Sequence, residues 1–250
     1  MPPTQNIPQI QLLCMETKFI NAFTSALPTH WPAYDPSNPT PRITIHNSSL
    51  ASLPASTKFD LIVSPANSYG RLDGAFDEAI TRAFCRPPRH DYDTLTHAAQ
   101  RVLYEKYRGF APPGTCTLVP FPAELVEENE NAWGCRIVAI CPTMRTPDDV
   151  RWDREVVYEC VWSLLCAVEG WNRELVDGDG KRIESLLVTP MATGCGRVSP
   201  EKWAAQFVLA IRHFVDALER PERWGRLGWR EIYHDTEEVE KTWGGKTTAP

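Results

Sequence analysis

A strand with one face in water alternates apolar and polar residues, and two runs of this chain do not. Leu61-Ile62-Val63 and Leu186-Leu187-Val188 are apolar throughout, so each has to be covered on both faces of a sheet. Each also runs into a short loop of small residues just before a helix: SPANSYGRLDGAFDEAI (64–80) follows the first, and TPMATGCGRVSPEKW (189–203) the second. Strand, loop and helix recurring in that order predict a three-layer α/β fold, with helices on both faces of a central sheet.

At 250 residues and 42% hydrophobic content, the chain buries a substantial core, and residues 1–220 are expected to form one domain with an N-terminal extension. The remaining stretch, 221–250, carries Trp224, Trp229 and Trp243 among charges and glycines. It is expected either to pack on the domain or to stay partly flexible. A net charge of -6 with no long basic run argues against nucleic-acid binding, yet leaves room for a small phosphate-bearing ligand held by backbone amides. The eight cysteines include no C-x-x-C pair, which points to a reduced compartment. The first ten residues lack the pattern of a signal peptide, and no stretch has the length to span a bilayer. A soluble, intracellular protein of the cytoplasm or nucleus is expected, acting as a monomer.

Strands are predicted at Ile10–Met15, Arg42–His46, Phe59–Val63, Cys116–Pro120, Arg136–Cys141 and Ser185–Met191. Helices are predicted at Thr17–Leu27, from about Asp73 to Phe84, from Asp91 to Arg108 and between Val150 and Glu169, with another beginning at Pro200 behind Ser199 as N-cap. The proline-rich segment 28–41 reads as a loop. Asp148-Asp149 is taken as cap and first-turn charge for the helix at Val150, and Glu127-Glu128-Asn129-Glu130 as a solvated loop.

Loops that follow parallel strands gather at the C-terminal edge of the sheet, where such folds place ligands. Asn67 is delivered to that edge. Gly70 and Gly74 permit close approach of the backbone, and the following helix turns its unpaired amides toward the same space. These residues read equally as an ordinary strand-to-helix turn capped by Asp73. The second loop, Thr193-Gly194-Cys195-Gly196, ends in the same way, and two such turns in one sheet form facing lips of a cleft.

Both loops resemble the signatures of the macrodomain, an ADP-ribose-binding module with a mixed central sheet. SPANSYGRLDGAFDEAI is similar to the Asn-Ala-Ala-Asn strand end, glycine-rich loop and Val-Asp-Gly-Ala-Ile helix start of that family. TPMATGCGRVSPEKWAAQ is similar to its Gly-Thr-Gly loop, and AICPTMRTP (139–147) to the strand and loop between them. The resemblance spans roughly residues 42–219. It implies that Asn67 contacts the distal ribose and that Ser64, Ala66 and the segment Gly70, Asp73, Gly74, Ala75 wrap the ribose and adjacent phosphate. Ala192, Thr193, Gly194, Cys195, Gly196 and Arg197 would cradle the diphosphate. It also implies a catalytic pair in any hydrolytic member, Asn67 with Asp73 as the carboxylate that orients water. Counting ten residues from the Asn reaches Asp77 instead; the motif is preferred to the count. Ser64 replaces an Asn of the signature, Arg71 and Leu72 stand where glycines usually run, and Ala192 and Arg197 replace further glycines. The Asp that usually holds adenine is absent, leaving Asn47, Ser48 or Ser49.

Three expectations of function follow. The chain binds ADP-ribose or an ADP-ribosylated protein or metabolite, and hydrolyses ADP-ribosyl linkages or esters on the distal ribose; or it reads ADP-ribose without turnover; or it is an interaction protein whose pocket has closed. No cofactor and no metal is implied. Cys195 is read as structural rather than as a nucleophile, His213 as a surface or boundary residue, and Tyr69, Tyr34 and Trp31 as packing residues that could also stack on a base.

Overall fold

The computed structural model describes residues 7–126, 131–175 and 181–244. The acidic cluster Glu127-Glu128-Asn129-Glu130 and the first six residues lie outside them. Among the described residues the strands and helices follow in the order β1 (Gln9–Leu13), α1 (Thr17–His30), β2 (Ile43–His46), β3 (Leu61–Ser64), α2 (Ala75–Phe84), α3 (Thr94–Tyr107), β4 (Thr117–Pro120), β5 (Ile137–Ile140), α4 (Val156–Glu174), β6 (Ser185–Val188), α5 (Pro200–Glu219), α6 (Pro221–Trp224) and α7 (Trp229–Glu240). The strands form one six-stranded sheet in the order β2-β1-β6-β3-β5-β4. All neighbours are parallel except β4, which runs antiparallel to β5 at the edge.

The uninterrupted apolar strands are explained by what lies on each face. Leu61 and Val63 of β3, with Leu186 and Val188 of β6, meet Phe19 and Phe23 of α1, Val161 and Leu164 of α4, and Trp203 and Phe207 of α5. Ile62 and Leu187 point the other way, onto Ile80 and Phe84 of α2 and Leu95 and Leu103 of α3. The period of two sends successive side chains into two separate cores, and the fold is a three-layer α/β/α arrangement with a mixed sheet.

Several boundaries differ from expectation. Helix α1 continues through Pro28 to His30, so the proline-rich loop begins later than its composition suggests. Helix α4 starts at Val156 rather than Val150, and its cap is not Asp148-Asp149. The Asp149 carboxylate instead accepts the backbone N–H of Arg151 at 3.0 Å, closing a turn before the helix, while Asp153 Oδ1 accepts the N–H groups of Glu155 and Val156, each at 3.0 Å. Ser199 caps α5 as predicted, accepting from the Lys202 N–H at 3.1 Å.

Past α5 the chain folds back as α6 and α7. Trp224 packs on Trp162, and the Trp243 indole donates to Glu155 at 3.0 Å. Val239 is buried. Gln206, in the middle of α5 and fully buried, donates to Thr242 Oγ1 at 2.9 Å. His213 is also buried and not at the surface, because Tyr158 of α4 and Glu238 of α7 close over it. Trp31 is 9% exposed and packs against Tyr34. No helix among the described residues is long and apolar enough to cross a membrane.

Candidate functional site

The parallel strands β3, β5 and β6 end at one edge of the sheet, and the loops after them form the candidate site. In the first loop Asn67 organises the backbone. Its Oδ1 accepts the N–H groups of Tyr69 at 3.0 Å and Arg71 at 3.3 Å, and its Nδ2 donates to the Arg71 carbonyl at 2.7 Å. An Asn amide is suited to this because it donates and accepts at once. Gly70 makes the turn at φ +63°, where a Cβ would come within 2.8 Å of Leu103 Cδ1. Leu72 is fully buried, its N–H bonded to Thr96 Oγ1 and its carbonyl to Thr81 Oγ1.

The two candidate carboxylates have different surroundings. Asp73 is exposed, its Oδ2 lying 2.6 Å from Arg71 Nε, and Arg71 also pairs with Asp93 at 3.0 Å. It does not cap the helix: α2 begins at Ala75 with Gly74 as N-cap and no side-chain cap bond. Asp77 lies in the first turn of α2, 8% exposed, and accepts from Ser64 Oγ at 2.6 Å. Burial pushes its carboxyl up to about 7, against the pull of the Ser64 hydrogen bond and with some help from Asp73. Ser64 is itself fully buried, so its hydroxyl is committed to Asp77. Ala66 is buried as well, its carbonyl accepting from the Thr143 N–H. The serine that stands in place of an Asn is therefore the partner of a buried acid.

In the second loop Thr193 Oγ1 donates to the Pro190 carbonyl at 3.1 Å, the Arg197 N–H to Gly194 and the Val198 N–H to Ala192. Gly196 is required by space: a Cβ there would lie 2.5 Å from the Ala192 carbonyl oxygen and 2.9 Å from Val150 Cγ2. Gly194 and Gly74 have nothing within 4 Å of an added Cβ, so the space above both is open. Ala192 and Arg197, which stand where the signature has glycines, keep left-handed backbones at φ 59° and 57°, and Ala75 does the same at φ 50°. Among the described residues the one other non-glycine in that region is Arg108, which caps the end of α3. A left-handed conformation strains a residue with a Cβ, and three of the four cases fall on these two loops.

The sequence did not reveal what holds the loops in register. The segment 141–150 after β5 acts as a strut between them. On one side Asn67 pairs with Met144, and the Ser68 N–H donates to the Met144 carbonyl at 3.0 Å. On the other, the Val150 N–H donates to Gly196, Cys195 Sγ lies 3.5 Å from Met144 Sδ, and Arg197 faces Asp149 at 3.8 Å. Arg145 Nε donates to the Tyr69 hydroxyl at 3.1 Å, with its guanidinium 5.0 Å above the Phe110 ring. The run AICPTMRTP was the available signal, but no local pattern announces a contact with residues on both neighbours. Beside β2, Ser49 accepts from the Ser52 N–H and Ser48 donates to the Ser49 carbonyl, which leaves Asn47 as the exposed side chain of that loop.

Cys195 is exposed, and all eight cysteines are free. Away from the loops, His213, Asp235 and Glu238 each bring one potential ligand atom within 4.8 Å of the others. Guanidinium groups already occupy both carboxylates, Arg212 on Glu238 and Arg223 on Asp235 at 2.7 Å, and supply the positive charge a metal would bring.

No family model and no curated protein matches the sequence. Solved macrodomain structures are similar to the chain. The Oceanobacillus iheyensis macrodomain with MES bound is 15% identical, covering 75% of this chain and 86% of its own at a TM-score of 0.44. A variant of that macrodomain with ADPR is 14% identical, covering 75% and 88% at 0.46. The macrodomain of Mycobacterium tuberculosis DarG is 15% identical, covering 65% and 87% at 0.44.

Proposed function

We propose that this chain binds ADP-ribose, or an ADP-ribosyl group carried by a protein or metabolite, between the loops 66–75 and 192–197. The observation that carries the proposal is the pairing of two strained, glycine-bearing loops at the C-terminal ends of adjacent parallel strands β3 and β6. Strain of this kind persists where the surrounding structure enforces it, and functional sites are where it gathers. The start of α2 adds unpaired amides and the positive end of a dipole, suited to a diphosphate. Left-handed backbone at Ala192 and Arg197 together with open space above Gly74 and Gly194 favours an open cleft over a closed pocket. Both lips come from one chain, so no second copy is needed.

Hydrolysis of an ADP-ribosyl linkage is the second reading, and one observation favours it. Asp77 is a carboxyl brought near neutrality by burial, the property of a group that exchanges a proton at physiological pH. Asp73, named by the motif, already shares its charge with Arg71.

Calorimetric titration with ADP-ribose tests the binding proposal, with Gly194→Leu as the diagnostic variant. Nothing in the folded chain lies within 4 Å of an added Cβ there, so its Tm should stay close to the parent's while affinity falls by at least about tenfold, or about 1.4 kcal/mol. No binding by the parent, or equal binding by the variant, overturns it. Release of ADP-ribose from modified protein, measured for the parent, Asp73→Asn and Asp77→Asn, decides the second reading; absence of turnover despite binding leaves a reader.

A further inference from the structure

A cavity of about 500 Å³ lies on the flank of α4, sharing no residue with the two loops, between the 113–115 turn and Trp224 of α6. One wall is aromatic. The Trp162 ring stacks near Tyr158 with centroids 6.2 Å apart and planes at 18°, and meets Trp224 at 5.4 Å and 31°. The other wall is acidic: Glu155 and Glu159, one helical turn apart, both line the space. Like charges at that spacing repel, and burial, with the nearby acids, raises both carboxyls above their ordinary range.

Among the described residues neither carboxylate of this wall forms an ion pair, and the Lys202 ammonium acts on Glu155 only from a distance. Glu155 has one oxygen bonded to the Trp243 indole, and the Glu159 carboxylate has no hydrogen bond or ion pair among the described residues. That carboxylate lies over Gly114, where a Cβ would come within 2.5 Å of its Oε2, so the missing side chain makes room for it. The nearby lysine, Lys202, is bonded to the Asp153 carbonyl at 2.8 Å. Arg223 lies 5.1 Å from the Trp224 ring, but its charge is matched by Asp216 and Asp235.

We propose that this cavity is a binding site for an organic ammonium cation, with its alkyl groups against Trp162 and Trp224 and its charge facing Glu155 and Glu159. Aromatic faces attract such cations through the ring quadrupole, and carboxylates add a direct charge term. A divalent metal is a poorer occupant, because two carboxylates beside indole rings do not supply the six or more oxygen ligands a hard cation requires. A neutral apolar ligand would leave the acidic wall uncompensated. Trp224 belongs to the C-terminal helices, so the site gives that region a role besides covering α5.

Choline titrated into the full chain, followed through the indole N–H resonances of Trp162 and Trp224, is the test. Saturable shifts of both resonances are expected, with at least about tenfold weaker binding of the uncharged isostere in which carbon replaces the quaternary nitrogen. Glu159→Gln, an exposed change that leaves Tm intact, should weaken choline by about fivefold or more. A peptide bearing trimethyllysine identifies the source: tighter binding than choline indicates a lysine side chain of a partner, and equal binding a free small ammonium. Choline and its isostere binding alike, no saturable shift, or an unchanged Glu159→Gln overturns the proposal.

Discussion

The loops at the C-terminal edge of the sheet and the clasp between α5 and α7 hold their residues by different means. In the loops, backbone bonds set the register beside the Asn67 side chain: Gly196 to Val150, Ser68 to Met144, Val198 to Ala192. In the clasp they are side chain to side chain. Arg212 and His213 share Glu238, Tyr158 bonds to His213 at 2.9 Å, and Arg223 bridges Asp216 and Asp235. Backbone-built geometry depends on room for the chain to pass and tolerates exchange of exposed side chains. Side-chain geometry depends on the identity of each partner, and the cost of removing one falls on the groups left behind.

The largest effect that separates the regions is expected at Gly196. In Gly196→Ala the new Cβ meets the Ala192 carbonyl oxygen at 2.5 Å, a backbone atom that cannot swing aside, and destabilisation of about 3 kcal/mol should follow in denaturant unfolding. Gly194→Ala, in the same loop but with open space above it, should stay within about 0.5 kcal/mol of the parent. Equal costs at the two positions would mean that the loop is not held by close backbone packing.

Asp77 sits beneath the first loop and provides a pH-dependent test. Its folded value, about 7, lies above the ordinary carboxyl value of 3.8, so between those limits the folded state binds more protons than the unfolded. The stability it contributes is therefore fully present below about pH 4 and is lost as pH rises through about 7. A tenfold difference in proton affinity between the two states corresponds to about 1.4 kcal/mol, and relaxation around the group brings the expected loss to the order of 2 kcal/mol. Asp77→Asn, which still accepts from Ser64, should remove this slope when Tm is followed from about pH 4 to 8. An unchanged slope would show that Asp77 is not the group responsible.

In the clasp, Glu238→Ala should cost about 1–2 kcal/mol, because Arg212 and the buried His213 lose their acceptor while Glu238 itself is partly solvated. ADP-ribose affinity should not change, since the clasp shares no residue with the loops. A tenfold loss of affinity would break the comparison by showing that α7 and the cleft are coupled.

These differences also mark how much was legible in the sequence. Strand, loop and helix are local signals, so β3, β6, Ser199 as cap and the two loops could be read directly. Asp77 was within reach, because it falls in register with Ile80, Thr81 and Phe84 on the inward face of α2, the position of a buried residue. The start of α4 was not, since Asp148, Asp149 and Asp153 each offer a carboxylate to free N–H groups and only three-dimensional placement brings Asp153 to those of Glu155 and Val156. His213 lies beside core residues of α5, but its burial depends on Glu238, which is 25 residues away. The cavity beside Trp162 needs three separate segments, and no periodicity brings them together.

The smallest effect is expected at Arg197, where the two ways of holding a residue meet. Its backbone is left-handed at φ 57°, while its side chain is 66% exposed and reaches Asp149 only at 3.8 Å. A surface pair at that distance contributes little. Arg197→Gly removes strain of about 1–2 kcal/mol and adds about 0.5–1 kcal/mol of unfolded-state entropy, so a net gain of about 0.5 kcal/mol is expected. Arg197→Ala keeps the strain and loses the charge. If the backbone amides cradle a diphosphate, both variants should bind ADP-ribose within about threefold of the parent, with Gly the more stable. If the guanidinium itself holds the phosphate, both should weaken together by about tenfold regardless of stability. The second result would assign the exposed side chain, rather than the loop's backbone, as the anion-binding element.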